Sequence, residues 1–179
     1  MSKSDPKPDN GTAPTNPPGD AVDAIISQWQ NERPDLRLEA MATFGRLKRC
    51  AALVQPMLEQ TFAEYGLSAW EFDVLATLRR SGAPYRLAPT ALFSTLMITS
   101  GTMTHRMKRL ESNGLIERLP NPTDARSLLV QLTDKGLDLI EKAVTAHVDN
   151  IESRLAALDT QQQAQLDEGL KVLLSVLEE

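Results

Sequence analysis

The sequence is poor in the residues that covalent and metal chemistry require. It contains one cysteine, Cys50, and two histidines, His105 and His147, which lie far apart. A single cysteine excludes an intrachain disulfide, and these three residues do not form a metal-ligand pattern. No glycine-rich phosphate loop is present, and no serine or cysteine nucleophile stands near a histidine. The sequence therefore predicts a protein that is not an enzyme, without catalytic residues, a cofactor or a metal.

Long apolar runs are absent as well. No stretch of about 18 uncharged apolar residues exists, and no apolar segment follows the lysines near the N-terminus. Neither a membrane span nor a secretory signal is therefore expected. With 179 residues, of which 41% are hydrophobic and 24% charged, the composition is typical of a globular domain. These features predict a cytoplasmic protein with no membrane partner.

Basic residues are in the minority, but their distribution is uneven. The chain has 19 Lys and Arg against 24 Asp and Glu, a net charge of −5. Residues 79–118 contain seven basic and two acidic side chains and so carry +5, which leaves −10 for the rest of the chain. A basic segment in an acidic body is typical of a protein that places one positive patch on a phosphate backbone. On charge alone, an ordinary solvated surface is the alternative.

The N-terminal third divides into a tail and two helices. Residues 1–19 hold five of the eleven prolines and almost no large apolar side chains, which predicts a disordered tail. Residues 20–66 are expected to form an N-terminal helix, capped by Asp20 and ended before Pro34, and a first long dimerisation helix from about Leu36 to Tyr65.

Residues 67–133 have the order of parts of a winged helix-turn-helix domain. Ser68 and Glu71 fit a capping box, with Leu67 and Phe72 as its hydrophobic staple, at the start of a helix that ends near residue 80. Two close helices are expected next, over about 89–97 and from about 99 or 100 to 113, followed by strands over 115–119 and 128–132 around a turn at 121–124.

The sequence pattern of residues 134–179 predicts C-terminal dimerisation helices. Apolar residues recur every three to four positions in two stripes, one formed by Leu137, Ile140, Val144, Val148, Ile151, Leu155 and Leu158, the other by Leu166, Leu170, Leu173 and Leu177. Such narrow seams are typical of helices that pair with another subunit. Packing within one protomer is the alternative. The predicted fold class is mainly α with a small β-hairpin wing: a winged helix-turn-helix with long N- and C-terminal dimerisation helices.

The second of the two close helices has the composition of a DNA-reading helix. Met103, Met107 and Leu110 form its inward face, while the opposite face holds glycine, hydroxyl and basic side chains that can approach base edges and phosphates. An ordinary solvated face would hold more Glu and fewer Ser and Thr. The predicted DNA-contacting residues are Ser100, Gly101, Thr102, Thr104, His105, Lys108 and Arg109, joined by Asp124 and Arg126 at the tip of the wing.

The sequence resembles the MarR family of dimeric winged-helix regulators. The resemblance extends from about Leu36 to the C-terminus and is carried by the stretches LSAWEFDVLATLRRSG, TSGTMTHRMKRLESNGLIERL and NPTDARSLLVQLTDKG. The Asp-x-Arg wing motif of the family falls on Asp124 and Arg126. The resemblance implies a homodimer that binds double-stranded, pseudo-palindromic operator DNA, most often as a repressor.

A narrower resemblance connects the chain to the urate-responsive, UrtR- and PecS-like subgroup of that family. The subgroup uses four ligand-binding residues that match Trp29, Asp73, Arg106 and Arg118. The resemblance implies urate, xanthine or a similar aromatic anion as effector. His105 departs from the pattern, since the subgroup often has Asn at that position, and this concerns base preference more than effector binding.

The same four residues are consistent with an effector site on physical grounds. A carboxylate set among apolar residues needs a nearby cation, which suggests that Asp73 pairs with Arg106 or Arg118. Trp29 would stack on a flat heterocycle, and an arginine would pair with its charge. A structural salt bridge and a plain core tryptophan are the alternatives.

Two other regulatory classes remain open from the sequence. A phenolic acid would satisfy the same stacking and charge as a purine. A MarR-type redox sensor would act through Cys50, although a lone cysteine within a helix is expected to be a small buried apolar group. A coiled-coil adaptor is disfavoured by the Ser/Thr-rich basic helix and the wing.

Overall fold

The computed structural model describes residues 19–96, 103–122 and 124–178; the side chains of residues 103–106 and 124–126 are not among the described atoms. The predicted disordered tail lies outside the described residues, apart from Gly19. The described elements are α1 (Ala21–Glu32), α2 (Glu39–Glu64), α3 (Ala69–Arg80), β1 (Arg86–Leu87), α4 (Pro89–Thr95), α5 (Met103–Ser112), β2 (Ile116–Asn121), β3 (Asp124–Leu132), α6 (Asp134–Leu155) and α7 (Thr160–Leu177).

The predicted fold class is confirmed: the chain is mainly helical with one small antiparallel sheet. The strand order is β1-β3-β2, and the predicted hairpin pairs from Ile116 opposite Leu132 to Asn121 opposite Asp124. Both hairpin strands extend further toward the tip than their apolar runs predicted. Strand β1 was not predicted, because two residues are too few to show an alternation; it is held by pairing with Gln131 and Val130 of β3.

The chain divides into two compact units, one ending at Val54 and one comprising Gln55–Glu179. In the first unit, the Asp20 carboxylate caps α1 as predicted, accepting from the backbone N–H groups of Val22 and Asp23. Arg46 of α2 forms ion pairs with Asp20 and Asp23. A Cβ on Gly45 would lie 3.0 Å from Val22 Cγ1, so the glycine allows α1 and α2 to approach closely.

The second unit contains the main core, in which α3, α4, α5 and α6 pack around the sheet. Fully buried side chains from these helices and strands include Leu75, Leu78, Leu92, Leu110, Ile116, Val130 and Ile140. Thr133 caps α6 by accepting from the backbone N–H of Gly136 (3.0 Å) and donates to the carbonyl of Gly114 (2.7 Å). These bonds connect the start of α6 to the start of the wing.

The C-terminal stripes are buried to different extents. Ile140 lies in the core of its own subunit, so the N-terminal part of the α6 stripe packs within one protomer. Val148 and Leu155 are exposed, and α7 contains no buried residue, leaving Leu166, Leu170 and Leu177 exposed to solvent. The division of the chain into a tail, dimerisation helices and a central DNA-binding domain stays a prediction.

Cys50 departs from its predicted environment. It is exposed on α2 and is not a buried apolar group, because residues 48–56 of α2 are all exposed in the isolated chain and no other described element covers this stretch. Within the described ranges, none of the helices combines the length and the apolar character needed to cross a membrane.

Candidate nucleic-acid interface and effector pockets

Helix α5 presents the side chains expected of a recognition helix. Met107 and Leu110 are buried against the core, while Lys108, Arg109 and Ser112 are exposed. Lys108 therefore lies on the surface opposite the buried face, as the helical spacing predicts. Of the other predicted DNA-contacting residues, Ser100, Gly101 and Thr102 lie outside the described residues, and the side chains of Thr104 and His105 are not described.

Arg109 is engaged within the protein. Its Nε lies 3.0 Å from Oε1 of Glu71 on α3, and the Glu71 side chain is only 1% exposed. The second carboxylate oxygen of Glu71 accepts from the backbone N–H of Ser68 (2.9 Å) and from its hydroxyl (2.7 Å). These bonds confirm the predicted pairing of Ser68 and Glu71 at the start of α3, and they show a partner for Arg109 that the sequence did not indicate.

The wing is an antiparallel hairpin with regular pairing from Ile116 to Pro120 and a shift of register between Pro120 and Asn121. Asn121 Nδ2 donates to Ser127 Oγ at 2.8 Å across the two strands. Asp124 and Arg126, the predicted wing contacts, occupy the first turn-proximal positions of β3, and their side chains are outside the described atoms. Their contacts with DNA stay a prediction.

Asp73 lies at a pocket of about 410 Å³ formed by α3, the end of α4 and α6, which we call the Asp73 pocket. Its lining residues are Phe72, Asp73, Ala76, Thr77, Arg80, Thr95, Leu96 and His147. Among the described atoms, Thr77 Oγ1 and His147 Nδ1 are buried and have no hydrogen-bond partner. The pocket is thus bordered by a carboxylate and a guanidinium, with a buried hydroxyl and a buried imidazole nitrogen that lack partners in its wall.

Burial and neighbouring groups shift the pKa of Asp73 in opposite directions. Partial loss of hydration in the pocket raises the pKa of the Asp73 carboxyl, and electrostatic interactions with Arg80 and with the His147 ring counter this rise without cancelling it. The His147 ring is held in place by two aromatic neighbours, with ring centroids 5.1 Å from Phe72 and 5.4 Å from Phe62. The imidazole is therefore positioned at the pocket by packing, with Nδ1 unpaired.

Arg118 lies at a different, smaller pocket, which we call the Arg118 pocket. Its volume is about 140 Å³, and its lining is formed by Pro89, Phe93, Met107, Arg118, Leu128 and Val130. Arg118 Nε lies 3.3 Å from Glu111 Oε2, but the direction of the N–H does not make this ion pair a hydrogen bond. Arg118 is therefore placed beside Glu111 and not beside Asp73, while the alternative pairing of Asp73 with Arg106 stays a prediction because the Arg106 side chain is not described.

The assembly of the four expected effector residues into one site stays a prediction. Asp73 and Arg118 line separate pockets, the side chain of Arg106 is not described, and Trp29 belongs to the first unit, where it is 43% exposed on α1. Sequence reasoning missed Thr77, Arg80 and His147. The spacing of positions 73, 77 and 80 on one face of α3 was a usable signal for the first two, whereas no local pattern pointed to His147.

The amino-acid sequence of this chain is similar to those of known transcriptional regulators. The MarR family model matches residues 67–128. The HTH-type transcriptional regulator PecS of Dickeya dadantii (strain 3937) is 44% identical over 145 residues, which covers 81% of this chain and 87% of that protein.

Two solved complexes with DNA have the same fold. Sco3205, a MarR family transcriptional regulator from Streptomyces coelicolor in complex with DNA, is 25% identical with a TM-score of 0.70, covering 80% of this chain and 91% of that one. A mutant MarR from E. coli complexed with operator DNA is 28% identical with a TM-score of 0.65, covering 76% of this chain and 97% of that one.

Proposed function

Because the chain belongs to the MarR family of DNA-binding transcriptional regulators, we propose that it is a repressor that binds pseudo-palindromic operator DNA as a homodimer and is released by a small aromatic anion. Urate or a related purine such as xanthine is the effector that fits best. The observation that carries the effector assignment is the Asp73 pocket, with its unpaired polar atoms.

The DNA-binding part of the proposal rests on α5 and the wing. The exposed Lys108 stands on the surface of α5 in a segment that carries a net charge of +5 within an acidic chain. Basic side chains on one face supply the salt-dependent attraction to phosphates. We assign base and phosphate contacts to Ser100, Gly101, Thr102, Thr104, His105 and Lys108, and wing contacts to Asp124 and Arg126.

The homodimer is supported by the apolar surface of α7. Leu166, Leu170 and Leu177 are all exposed in the isolated chain, and they repeat at the spacing of a helix-pairing seam. Contiguous apolar surface of this kind marks interaction sites on monomeric chains. A second copy, which carries the same stripe, satisfies it in a twofold arrangement that matches a palindromic operator.

The Asp73 pocket suits a bicyclic heterocycle with both donor and acceptor edges. Its volume of about 410 Å³ is within the range of small-molecule sites. Ring N–H groups of a purine can donate to Asp73, while its oxygens and anionic charge are met by Arg80, Thr77 and His147. Filling these unpaired positions gives binding energy that no internal bond has to give up.

The position of the pocket explains how effector binding would affect the DNA-binding surface. Thr95 and Leu96, at the end of α4, form part of its wall, and α5 follows α4 in the helix-turn-helix. An anion beside Asp73 also adds a negative charge next to a carboxylate that is already hard to ionise. A ligand that binds one placement of α4 better than another shifts α5 with it, which lowers the DNA-competent population.

A single-ring phenolic acid is the second candidate, favoured by the Arg118 pocket. That pocket is smaller and mostly apolar, and Arg118 Nε is buried there without a hydrogen-bond partner in the described structure. A carboxylate on one aromatic ring would satisfy Arg118 while the ring packs on Phe93 and Met107. The two pockets therefore separate the two effector classes by size.

Titration of operator-bound protein with urate, xanthine and a hydroxybenzoate distinguishes these candidates. The polarisation of a fluorescent operator fragment reports release. We expect urate or xanthine to release the DNA, and Thr77→Val to raise the required concentration at least tenfold without changing DNA affinity in the absence of effector. Arg118→Gln is the matched control and should leave purine release unchanged. Release by the hydroxybenzoate alone, abolished in Arg118→Gln, would instead support the phenolic-acid candidate.

The redox alternative is tested in the same assay. Cys50 is exposed on α2 and thus reachable by an oxidant. Under the effector proposal, peroxide leaves operator binding unchanged and Cys50→Ser responds to urate like the wild type. Release by peroxide that disappears in Cys50→Ser would favour a redox sensor.

A further inference from the structure

A buried carboxylate connects the start of α3 to the recognition helix. Glu71 is 1% exposed, and its two oxygens have separate partners. Oε2 accepts both hydrogen bonds from Ser68 at the helix start, and Oε1 lies 3.0 Å from Arg109 Nε on α5. One side chain therefore caps α3 and contacts α5 at the same time.

Because Glu71 is buried, its contact with Arg109 restrains the position of α5. A buried carboxylate that loses its cation is left poorly compensated, so α5 is held where Arg109 reaches Glu71. The apolar face of α5 that is described consists of Met107 and Leu110, and apolar contacts alone tolerate small rotations because they are not directional. The ion pair supplies the restraint on rotation that these contacts lack.

Two adjacent cations on α5 consequently stand in different situations. Lys108 is exposed and has no ion pair among the described residues. Arg109 keeps 57% of its side chain exposed, yet its Nε faces a buried carboxylate. Of these two side chains, Lys108 is the one whose whole charge is available to a phosphate.

We infer that Glu71 and Arg109 form a positioning pair that sets the rotation of the recognition helix, so that Arg109 governs sequence discrimination by placing α5 and does not act as a phosphate contact. The inference rests on the proposed binding of DNA through α5, and it does not depend on the effector. A phosphate contact strengthens binding to all DNA alike, whereas helix placement matters most where side chains meet base edges.

The test compares Arg109→Gln, Glu71→Gln and their double variant with Lys108→Gln as the matched control. Affinities for an operator fragment and for a random fragment of equal length are measured over a series of salt concentrations, without effector. Lys108→Gln should weaken binding to both fragments in similar proportion. It should also reduce the log–log salt slope by about 0.9 for each phosphate that the variant no longer neutralises.

Arg109→Gln should leave the salt slope at its wild-type value and lower the operator-to-random affinity ratio at least tenfold. Glu71→Gln should reproduce this decrease, and the double variant should show no larger decrease than either single change, since both disrupt one contact. Arg109→Lys, which keeps a cation for Glu71, should recover part of the ratio. Arg109 is largely exposed, so its variants report on the pair even where Glu71→Gln folds poorly.

An equal fall in slope for Arg109→Gln and Lys108→Gln, with the affinity ratio unchanged, would identify Arg109 as a phosphate contact and overturn the inference. A wild-type protein that binds DNA without salt dependence would overturn the DNA-binding premise itself. Failure of urate to release the operator affects neither outcome, so the effector proposal and the positioning pair are judged separately.

Discussion

At the scale of single residues, Asp73 has an unfavourable environment that a ligand can relieve. Its pKa is raised because the pocket removes water from the carboxylate, and Arg80 and His147 only partly compensate. Thr77 Oγ1 and His147 Nδ1 are buried beside it without partners in the described structure. Buried polar atoms are satisfied in most folds, so these two are the groups with which the proposed effector would form hydrogen bonds.

The first residue-scale prediction concerns the stability of Asp73→Asn. A raised pKa means that the folded chain binds the Asp73 proton more tightly than the unfolded chain, so wild-type stability falls as pH rises from the ordinary value of 3.8 through the raised pKa. The neutral amide avoids this destabilisation. We expect Asp73→Asn to be more stable than the wild type at neutral pH, with the difference shrinking as pH falls toward 3.8.

Urea unfolding followed by tryptophan fluorescence at several pH values measures this difference. Asp138→Asn, which changes an exposed carboxylate of α6 outside the pocket, is the control for the change in net charge alone. If Asp73→Asn is less stable than the wild type at neutral pH, the ionised carboxylate stabilises the fold, and the destabilisation that we attribute to its burial is absent.

At the scale of secondary-structure elements, the sequence predicted most of the helices and the hairpin, because their end signals are local. Asp20 and Ser68 begin helices as expected, and Gly66 and Gly114 follow helix ends with φ values of +68° and +67°. Strand β1 escaped prediction because its pairing with β3 comes from distant chain segments. The separation of Asp73 and Arg118 was not predicted for the same reason. Periodicity in the sequence shows which face of a helix or strand a residue lies on, but not which other element packs against that face.

Gly136 tests how tightly two elements meet. A Cβ at this position would lie 2.0 Å from the carbonyl oxygen of Leu115, a backbone atom that cannot move aside without shifting the start of the wing. Alanine normally favours a helix over glycine by about 0.5–1 kcal/mol. Here we expect Gly136→Ala to lower the free energy of unfolding by about 1–3 kcal/mol, because overpacking outweighs helix propensity.

The matched control is Gly169→Ala in α7, where an added Cβ has no neighbour within 4 Å. This change should raise the free energy of unfolding by about 0.5–1 kcal/mol, the ordinary gain for glycine to alanine within a helix. Denaturant unfolding of both variants measures the comparison. Equal stabilisation by the two substitutions would mean that α6 and the start of the wing do not approach as closely as described.

At the scale of the whole molecule, charge and apolar surface are separated along the chain. The basic segment of residues 79–118 contains the recognition helix, while the rest of the chain carries −10 and includes the exposed apolar stripe of α7. An acidic body reduces indiscriminate attraction to nucleic acid, so that binding depends on the basic face. This division was predictable from the sequence, because net charge and helical spacing do not depend on which elements meet.

The proposed homodimer is tested by placing a charge in the α7 stripe. Leu170 is 45% exposed in the isolated chain, and in a twofold pair two copies would be buried together. Because each Leu170 is already about half buried, dimerisation buries roughly half a leucine per copy, about 0.7–1.5 kcal/mol. Losing two copies weakens association by roughly 1.4–3 kcal/mol, a rise of about 10-fold or more in the dimer dissociation constant. We expect Leu170→Glu to sediment as a monomer at concentrations where the wild type is dimeric, and to bind the operator less tightly, since one half-site then binds alone.

Gln165→Glu adds the same charge at an exposed polar position of α7 and should remain dimeric. A Leu170→Glu protein that stays dimeric and binds the operator normally would place the dimer interface elsewhere.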